Sequence, residues 1–280
     1  MKLCISYWSI EGGLANTRPI DEAMKEAKAA GFDGIELACG TDGVLSTSTD
    51  QKTCESYRAL ADKHGLAVET LAAGLSWGCS PTDPNPETRK KSIQLHADAL
   101  QRAAWLGAKS MLMVPGAVTI PWEPKYGPVR YDEAVEWAKD AAKQLAPVAE
   151  KTGVELCLEN VWNGMFYSPI EFAAFVDSVG SSKVGAYFDV GNVLGYHQHP
   201  PHWIEILGKR IKRVHIKDFK KEVGTLAGFC DLLAGDVPWK ASMDALRAIG
   251  YDKTIVAEMM PPAPGLLKRT REAMGKIIGM

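Results

Sequence analysis

Four side chains able to hold a divalent cation stand at the ends of four successive apolar runs. They are Glu159 in VELCLEN, Asp189 in VGAYFDVGN, His215 in IKRVHIKD and Glu258 in KTIVAEMM. Three carboxylates and one imidazole form a mixed oxygen–nitrogen donor set that suits Mn²⁺, with Mg²⁺, Co²⁺ and Zn²⁺ as the other candidates. A single strand-end acid is ordinarily a loop cap or a salt-bridge partner, so the weight lies in the repetition. The steps between the four are 30, 26 and 43 residues, close to or above the roughly 30 residues of one βαβ unit. A ligand delivered once per repeat, where a strand runs out, requires a ring of parallel strands presenting side chains to one rim. That is the active face of a (β/α)8 barrel.

The rest of the chain supplies such a ring. Strand patterns at residues 2–7, 34–38, 67–73, 110–114, 155–159, 184–189, 213–217 and 254–258 alternate with helical patterns. The helices are expected at 20–30, 51–64, 87–106, 131–151, 169–179, 201–209, 241–249 and 264–278, several of them closed by a glycine just before the next strand. Strict alternation predicts an all-parallel sheet. An open doubly wound sheet is the rival, but no GxGxxG follows the first strand, and four strand-end ligands would not converge along an open edge. With no linker or low-complexity tract, the expectation is an α/β chain folded as one (β/α)8 TIM-barrel domain over residues 1–280. The longest step, before Glu258, contains a surplus loop at 219–237. It is long enough to act as a lid or to touch a partner subunit, which leaves a homo-oligomer open.

Composition removes several classes of function. A net charge of −2 with 24% charged residues leaves no basic footprint for nucleic acid. No window approaches the roughly 18 apolar residues of a membrane span. The first residues, KLCISYWSIEGG, have too short an apolar stretch for a signal peptide and no small-residue cleavage site. The six cysteines include no CxxC pair and read as reduced thiols of a cytoplasmic protein.

The combination LEN…FDVGN…VHIKD…AEM, with GFDGIEL at the second strand, the loop GLSWGCSPTDPNPETR and VPGAV after the fourth strand, resembles the xylose-isomerase-like barrels of sugar and sugar-phosphate isomerases and epimerases. These include D-tagatose 3-epimerase, L-xylulose-5-phosphate 3-epimerase and hexulose-6-phosphate isomerases. The resemblance implies that Glu159, Asp189, His215 and Glu258 hold the metal from the fifth to the eighth strand. It implies further that Glu159 and Glu258 double as the acid and base that move a proton beside a ketone, through an enediolate stabilised by the cation. Tagatose-type epimerases carry a second acid six residues after the first metal Glu, where this chain has Met165, and a His three residues after the metal Asp, where it has Asn192. The basic residue six beyond the metal His is Lys221 rather than Arg. These departures turn the resemblance toward phosphorylated or otherwise modified sugars.

Substrate contacts are sought around that rim. Asn160, Trp162 and Asn163 follow Glu159 in ENVWNGMFYS and are read as sugar-hydroxyl contacts and an indole wall, or as loop capping. Asn192 joins them, and Trp8 and Trp77 follow the first and third strands. Lys217 shares the inward parity of His215; Lys220 and Lys221 beyond it are candidates for a distal phosphate or carboxylate. Glu36 points either into the pocket or into a salt bridge inside the barrel. His197, His199 and His202 read as a rim loop rather than a zinc site, and His64 and His96 as surface residues of helices. The expected activity is a metal-dependent isomerase or epimerase on a small sugar or sugar phosphate. The rivals are a lyase or dehydratase on a keto-sugar, inositol derivative or oxidised glycoside, an endonuclease-like multi-zinc barrel, and a non-catalytic sugar-binding subunit. The endonuclease would require more His ligands and a basic face.

Overall fold

The computed structural model describes residues 1–280. Its eight barrel strands are β1 (Leu3–Ser6), β2 (Gly34–Ala38), β3 (Thr70–Ala73), β4 (Ser110–Met113), β5 (Glu155–Glu159), β6 (Val184–Asp189), β7 (Ile211–Ile216) and β10 (Ile255–Ala257). A short antiparallel pair, β8 (Asp218–Phe219) and β9 (Phe229–Cys230), lies between the last two. All barrel neighbours pair in parallel, and the order β1-β10-β7-β6-β5-β4-β3-β2 closes on itself. The helices are α1 (Ile20–Ala29), α2 (Gln51–His64), α3 (Pro86–Leu106), α4 (Tyr131–Thr152), α5 (Pro169–Val179), α6 (Pro200–Leu207), α7 (Trp239–Ala248) and α8 (Leu266–Ile278). This is the closed (β/α)8 barrel expected from the alternation.

Local signals account for where elements stop. Asn85 caps α3 by accepting from the Glu87 N–H, with Pro86 in the first turn, where a missing N–H costs nothing. Gly65 ends α2 at φ 62°, the left-handed conformation that a residue without Cβ adopts readily. The third strand starts later than its apolar run, because residue 67 makes only an isolated bridge to Gly34. Conversely, β7 begins earlier than expected, at Ile211.

The core has two compartments. Most buried apolar side chains lie between the barrel and the helices, while Leu112, Val114, Cys157 and Tyr187 form a separate cluster from strand positions of inward parity, as barrel interiors require. All six cysteines are free. No helix is long and apolar enough to cross a membrane.

One expectation fails here. His96 lies not at the surface of α3 but fully buried, its Nδ1 2.8 Å from the Ser92 carbonyl and its Nε2 3.2 Å from the Ser76 hydroxyl. His64 is also largely covered, with Nε2 2.7 Å from Asp21 Oδ1. Helical periodicity does not reveal such sites, because a histidine satisfied by backbone and hydroxyl groups fits an apolar face. Burial holds the His96 imidazole down at about 4, against the opposing bond to Ser92. The unfolded chain therefore binds the proton first. Stability is intact above the ordinary histidine range near 6.5 and is lost as pH falls toward 4, by up to about 3 kcal/mol. Denaturant unfolding at pH 7 and pH 5 should show this loss, and His96→Gln, isosteric and uncharged, should show less of it.

Candidate metal centre

Barrel register brings the four candidate ligands together. Asp189 ends β6 directly opposite His215 on β7, and Val256 of β10 pairs with His215 from the other side. Glu258 follows β10 immediately, held by its N–H to the Ile216 carbonyl at 3.2 Å. Glu159 ends β5, whose partner there is Tyr187 of β6. The ligand atoms of Glu159, Asp189, His215 and Glu258 all lie within 4.8 Å of one another, and all four residues are buried. No other such cluster forms. His199 and His202 stack edge to face at 4.6 Å with no third ligand near them.

The second layer fixes the histidine. His215 Nε2 lies 2.8 Å from Glu36 Oε1, and Glu36 Oε2 accepts from the Tyr187 hydroxyl at 2.6 Å. Glu36, fully buried, thus takes the second of its two predicted alternatives, an ion pair inside the barrel, and braces a candidate ligand instead of facing substrate. A carboxylate behind Nε2 keeps a proton on that nitrogen and turns Nδ1 toward Glu159 and Glu258, which makes Nδ1 the atom a cation would take. Nδ1 sits 3.2 Å from Glu159 Oε1 and 3.3 Å from Glu258 Oε2.

Charge and hydrogen bonding test whether a cation fits. Four buried carboxylates, Glu36, Glu159, Asp189 and Glu258, face only two groups able to carry positive charge, His215 and Lys217. The Lys217 ammonium is 2.5 Å from Glu258 Oε2 and 3.2 Å from Asp189 Oδ2. That ion pair is the one polar contact of Asp189 Oδ2, which accepts no hydrogen bond, while its Oδ1 accepts from the Asn192 N–H at 2.8 Å. Four buried carboxylates against two cations leave negative charge uncompensated in the interior, which is costly, and a divalent ion would balance it. The residues fit a metal.

The same crowding separates the two outer glutamates. Burial pushes the Glu159 carboxyl up to about 7, against the pull of His215 and Lys217. Burial acts the same way on Glu258, but the Lys217 ammonium and His215 outweigh it and hold that carboxyl down at about 2. At His215 burial disfavours charge, yet the surrounding Glu36, Glu159 and Glu258 raise it well above the ordinary imidazole range.

Above the four candidate ligands opens a cavity of about 460 Å³. Glu159, Glu258 and Lys217 line its floor, with Asn192, Trp162, Trp8 and Trp77 on its walls. The other expected contacts lie elsewhere. Asn160 spends both ends of its amide on the backbone of Asp189, at 2.8 and 2.9 Å. Asn163 donates to the Gly116 carbonyl and accepts from the Met165 N–H. Both are loop braces, the bland alternative for each. Met165 itself is buried. Lys220 and Lys221 are exposed and stay out of the cavity lining. The Lys221 N–H instead ties to Asp236 at 2.8 Å.

Sequence reasoning passed over two features. The first is Asp218, a fully buried carboxylate that also lines the cavity. It accepts from the N–H groups of Phe219, Leu233 and Val237 and from Trp239 Nε1, at 2.8–3.2 Å. Those bonds pin both ends of the excursion at 219–237, which makes the β8–β9 hairpin part of the cavity wall. Asp218→Ala should cost about 3 kcal/mol, since three buried donors and one partly buried donor lose a charged acceptor. A drop in the denaturant midpoint and faster proteolysis within 219–237 would measure it, and an unchanged midpoint would show that the hairpin stands without Asp218. The second is the seat of Trp162. Its Nε1 donates to the Asn192 carbonyl at 2.8 Å, and its ring packs on Phe219 and Phe229. A Cβ at residue 195 would lie 1.8 Å from its ring, so only Gly195 admits the indole there.

Comparison with known proteins agrees with this architecture. A D-psicose 3-epimerase of Ruminiclostridium cellulolyticum is 24% identical over 258 residues, covering 90% of this chain and 81% of its own. An inosose dehydratase of Bacillus cereus is 26% identical over 223 residues, or 76% and 67% of the two chains. The crystal structure of a D-tagatose 3-epimerase-like protein superposes with a TM-score of 0.80 at 21% identity, over 100% of this chain and 97% of that one. A family described as xylose isomerase-like TIM barrel matches residues 24–277, and the chain belongs to that family.

Proposed function

We propose that this protein is a divalent-metal-dependent carbohydrate isomerase or epimerase, moving a proton at the carbon beside a carbonyl through an enediolate. The observation that carries the reading is the pair Glu159 and Glu258, two buried carboxylates that converge with Asp189 and His215 at one point on the cavity floor. A bound cation supplies Lewis acidity that stabilises negative charge developing on the substrate oxygens. The donor set suits Mn²⁺ first, and Glu159, Asp189, His215 and Glu258 would hold it.

The chain's own residues do the rest. Glu258 is a carboxylate placed to accept the C–H proton as the electron pair moves toward the carbonyl oxygen. Glu159, on the other side of the reacting carbon, takes the complementary part and delivers a proton there. Two carboxylates flanking one reacting carbon divide the base and acid roles. In the reverse direction they exchange them. Lys217, ion-paired to Glu258 and Asp189, stays charged and steadies the anionic intermediate. Trp162, Trp8 and Trp77 exclude water from it. The free thiols fit a reducing compartment such as the cytoplasm.

The inosose dehydratase relative supports a second reading, in which the same proton removal is followed by loss of a β-hydroxyl. Incubating the metal-loaded protein in D2O with ketoses, inososes and keto-glycosides separates the two. A product of unchanged connectivity carrying one solvent deuteron supports isomerisation or epimerisation, and loss of water supports the dehydratase. Absence of deuterium in every recovered sugar would refute both.

A further inference from the structure

The cavity above the metal centre is divided by polarity in a way that a free sugar does not require. Its ionisable side chains, Glu159, Glu258, Lys217 and Asp218, stand on or beside strands β5, β7, β8 and β10, at the floor. The mouth is apolar. Trp122, from the loop before α4, packs edge to face on Trp77 at 4.7 Å and is still 51% exposed. Leu14, from the loop before α1, is 58% exposed, and Leu226 and Met260 are also open to solvent. Twelve of the eighteen lining residues are hydrophobic.

A hexose carries hydroxyls on every edge, and those rising toward these walls would lose water without gaining partners. A phosphate fares worse. The only cationic residue lining the cavity is Lys217, and its ammonium is already engaged by Glu258 and Asp189. A flat apolar group, by contrast, fits between indoles and aliphatic side chains, where aromatic contacts add to the area removed from water. The volume, about 460 Å³, falls in the range of pockets that enclose ligands larger than a single sugar.

We infer that the substrate is a carbonyl-bearing sugar with an apolar, planar substituent, such as an aryl glycoside, whose ring lies at the floor and whose substituent lies against Trp77, Trp122 and Leu14. The inference rests on the proposed carbohydrate chemistry and replaces the phosphorylated substrate suggested by the sequence departures.

Matched pairs of methyl and phenyl glycosides of glucose, galactose and xylose, with their 3-keto derivatives, test it by calorimetry and saturation-transfer NMR on the Mn²⁺-loaded protein. The phenyl member of at least one pair should bind tenfold tighter or more, a difference of about 1.4 kcal/mol, with saturation strongest on the aryl protons. Trp122→Ala and Leu14→Ser should each reduce that ratio several-fold at unchanged melting temperature, and Trp122→Phe should restore most of it. Equal affinities within every pair, or no binding by any member, would overturn the inference. So would a dimer that Trp122→Ala dissociates without any aryl preference, because a second copy would then cover the mouth. Deuterium exchange on the same ligands keeps the two claims apart. Exchange on a free ketose with no aryl preference sinks only the inference, whereas an aryl preference with no exchange on any sugar sinks only the catalytic reading.

Discussion

Glu258→Gln takes up its cation with modest loss and no longer exchanges substrate protons with solvent. The amide oxygen can still coordinate, but an amide cannot accept and release a proton at the reacting carbon. General acid–base groups contribute roughly 10²–10⁴-fold, so solvent-deuterium incorporation should fall by about that factor. The change also removes the carboxylate that neutralises Lys217 at 2.5 Å, which makes Glu258→Asp, charged but shorter, the necessary companion. Wild-type exchange in the Gln variant would take Glu258 out of the acid–base pair. Loss of metal in both variants would assign it a purely ligating role.

His215→Ala fails in a different way, through the metal itself. Removing a supporting partner behind a ligand costs roughly 10–100-fold in metal affinity, which is the loss expected for Glu36→Ala. The ligand should cost more than its support. Among these side chains alone the His215 imidazole is held well above its ordinary range by Glu36, Glu159 and Glu258, so it carries a proton that a cation must displace. Metal uptake by the chelator-treated protein should release that proton and should weaken as pH falls. Calorimetry in buffers of different ionisation enthalpy reads the release directly. A His215→Ala protein with wild-type affinity, or uptake without proton release, would move the binding point away from this imidazole.

The barrel and its four converging side chains were legible because each depends on one dominant signal. Apolar runs of strand length, several preceded by a helix-closing glycine, set the alternation, and the parity of β7 places His215 and Lys217 on one side. Glu36 could be narrowed to two roles but not assigned, because its partners Tyr187 and His215 are 151 and 179 residues away. Asn160 and Asn163 failed as substrate contacts for a related reason. An amide beside an active site looks the same in sequence whether it bonds a sugar or braces the Asp189 backbone. Lys220 and Lys221 were misplaced because the chain turns outward after Asp218, and the bonds of that carboxylate to Leu233, Val237 and Trp239 are invisible to local patterning. The apolar mouth was missed because Leu14, Trp122, Leu226 and Met260 are scattered along four loops and meet only in three dimensions.

The claim on which the rest depends is that Glu159, Asp189, His215 and Glu258 hold one catalytic cation. Crystals soaked in MnCl2, with data collected on both sides of the manganese absorption edge, test it most directly. A single strong anomalous peak is expected, enclosed by those four side chains, with His215 Nδ1 facing it and Glu36 still behind Nε2. A peak elsewhere, or none at the barrel floor under saturating Mn²⁺ with the Lys217 ammonium still bound to Glu258, would contradict it.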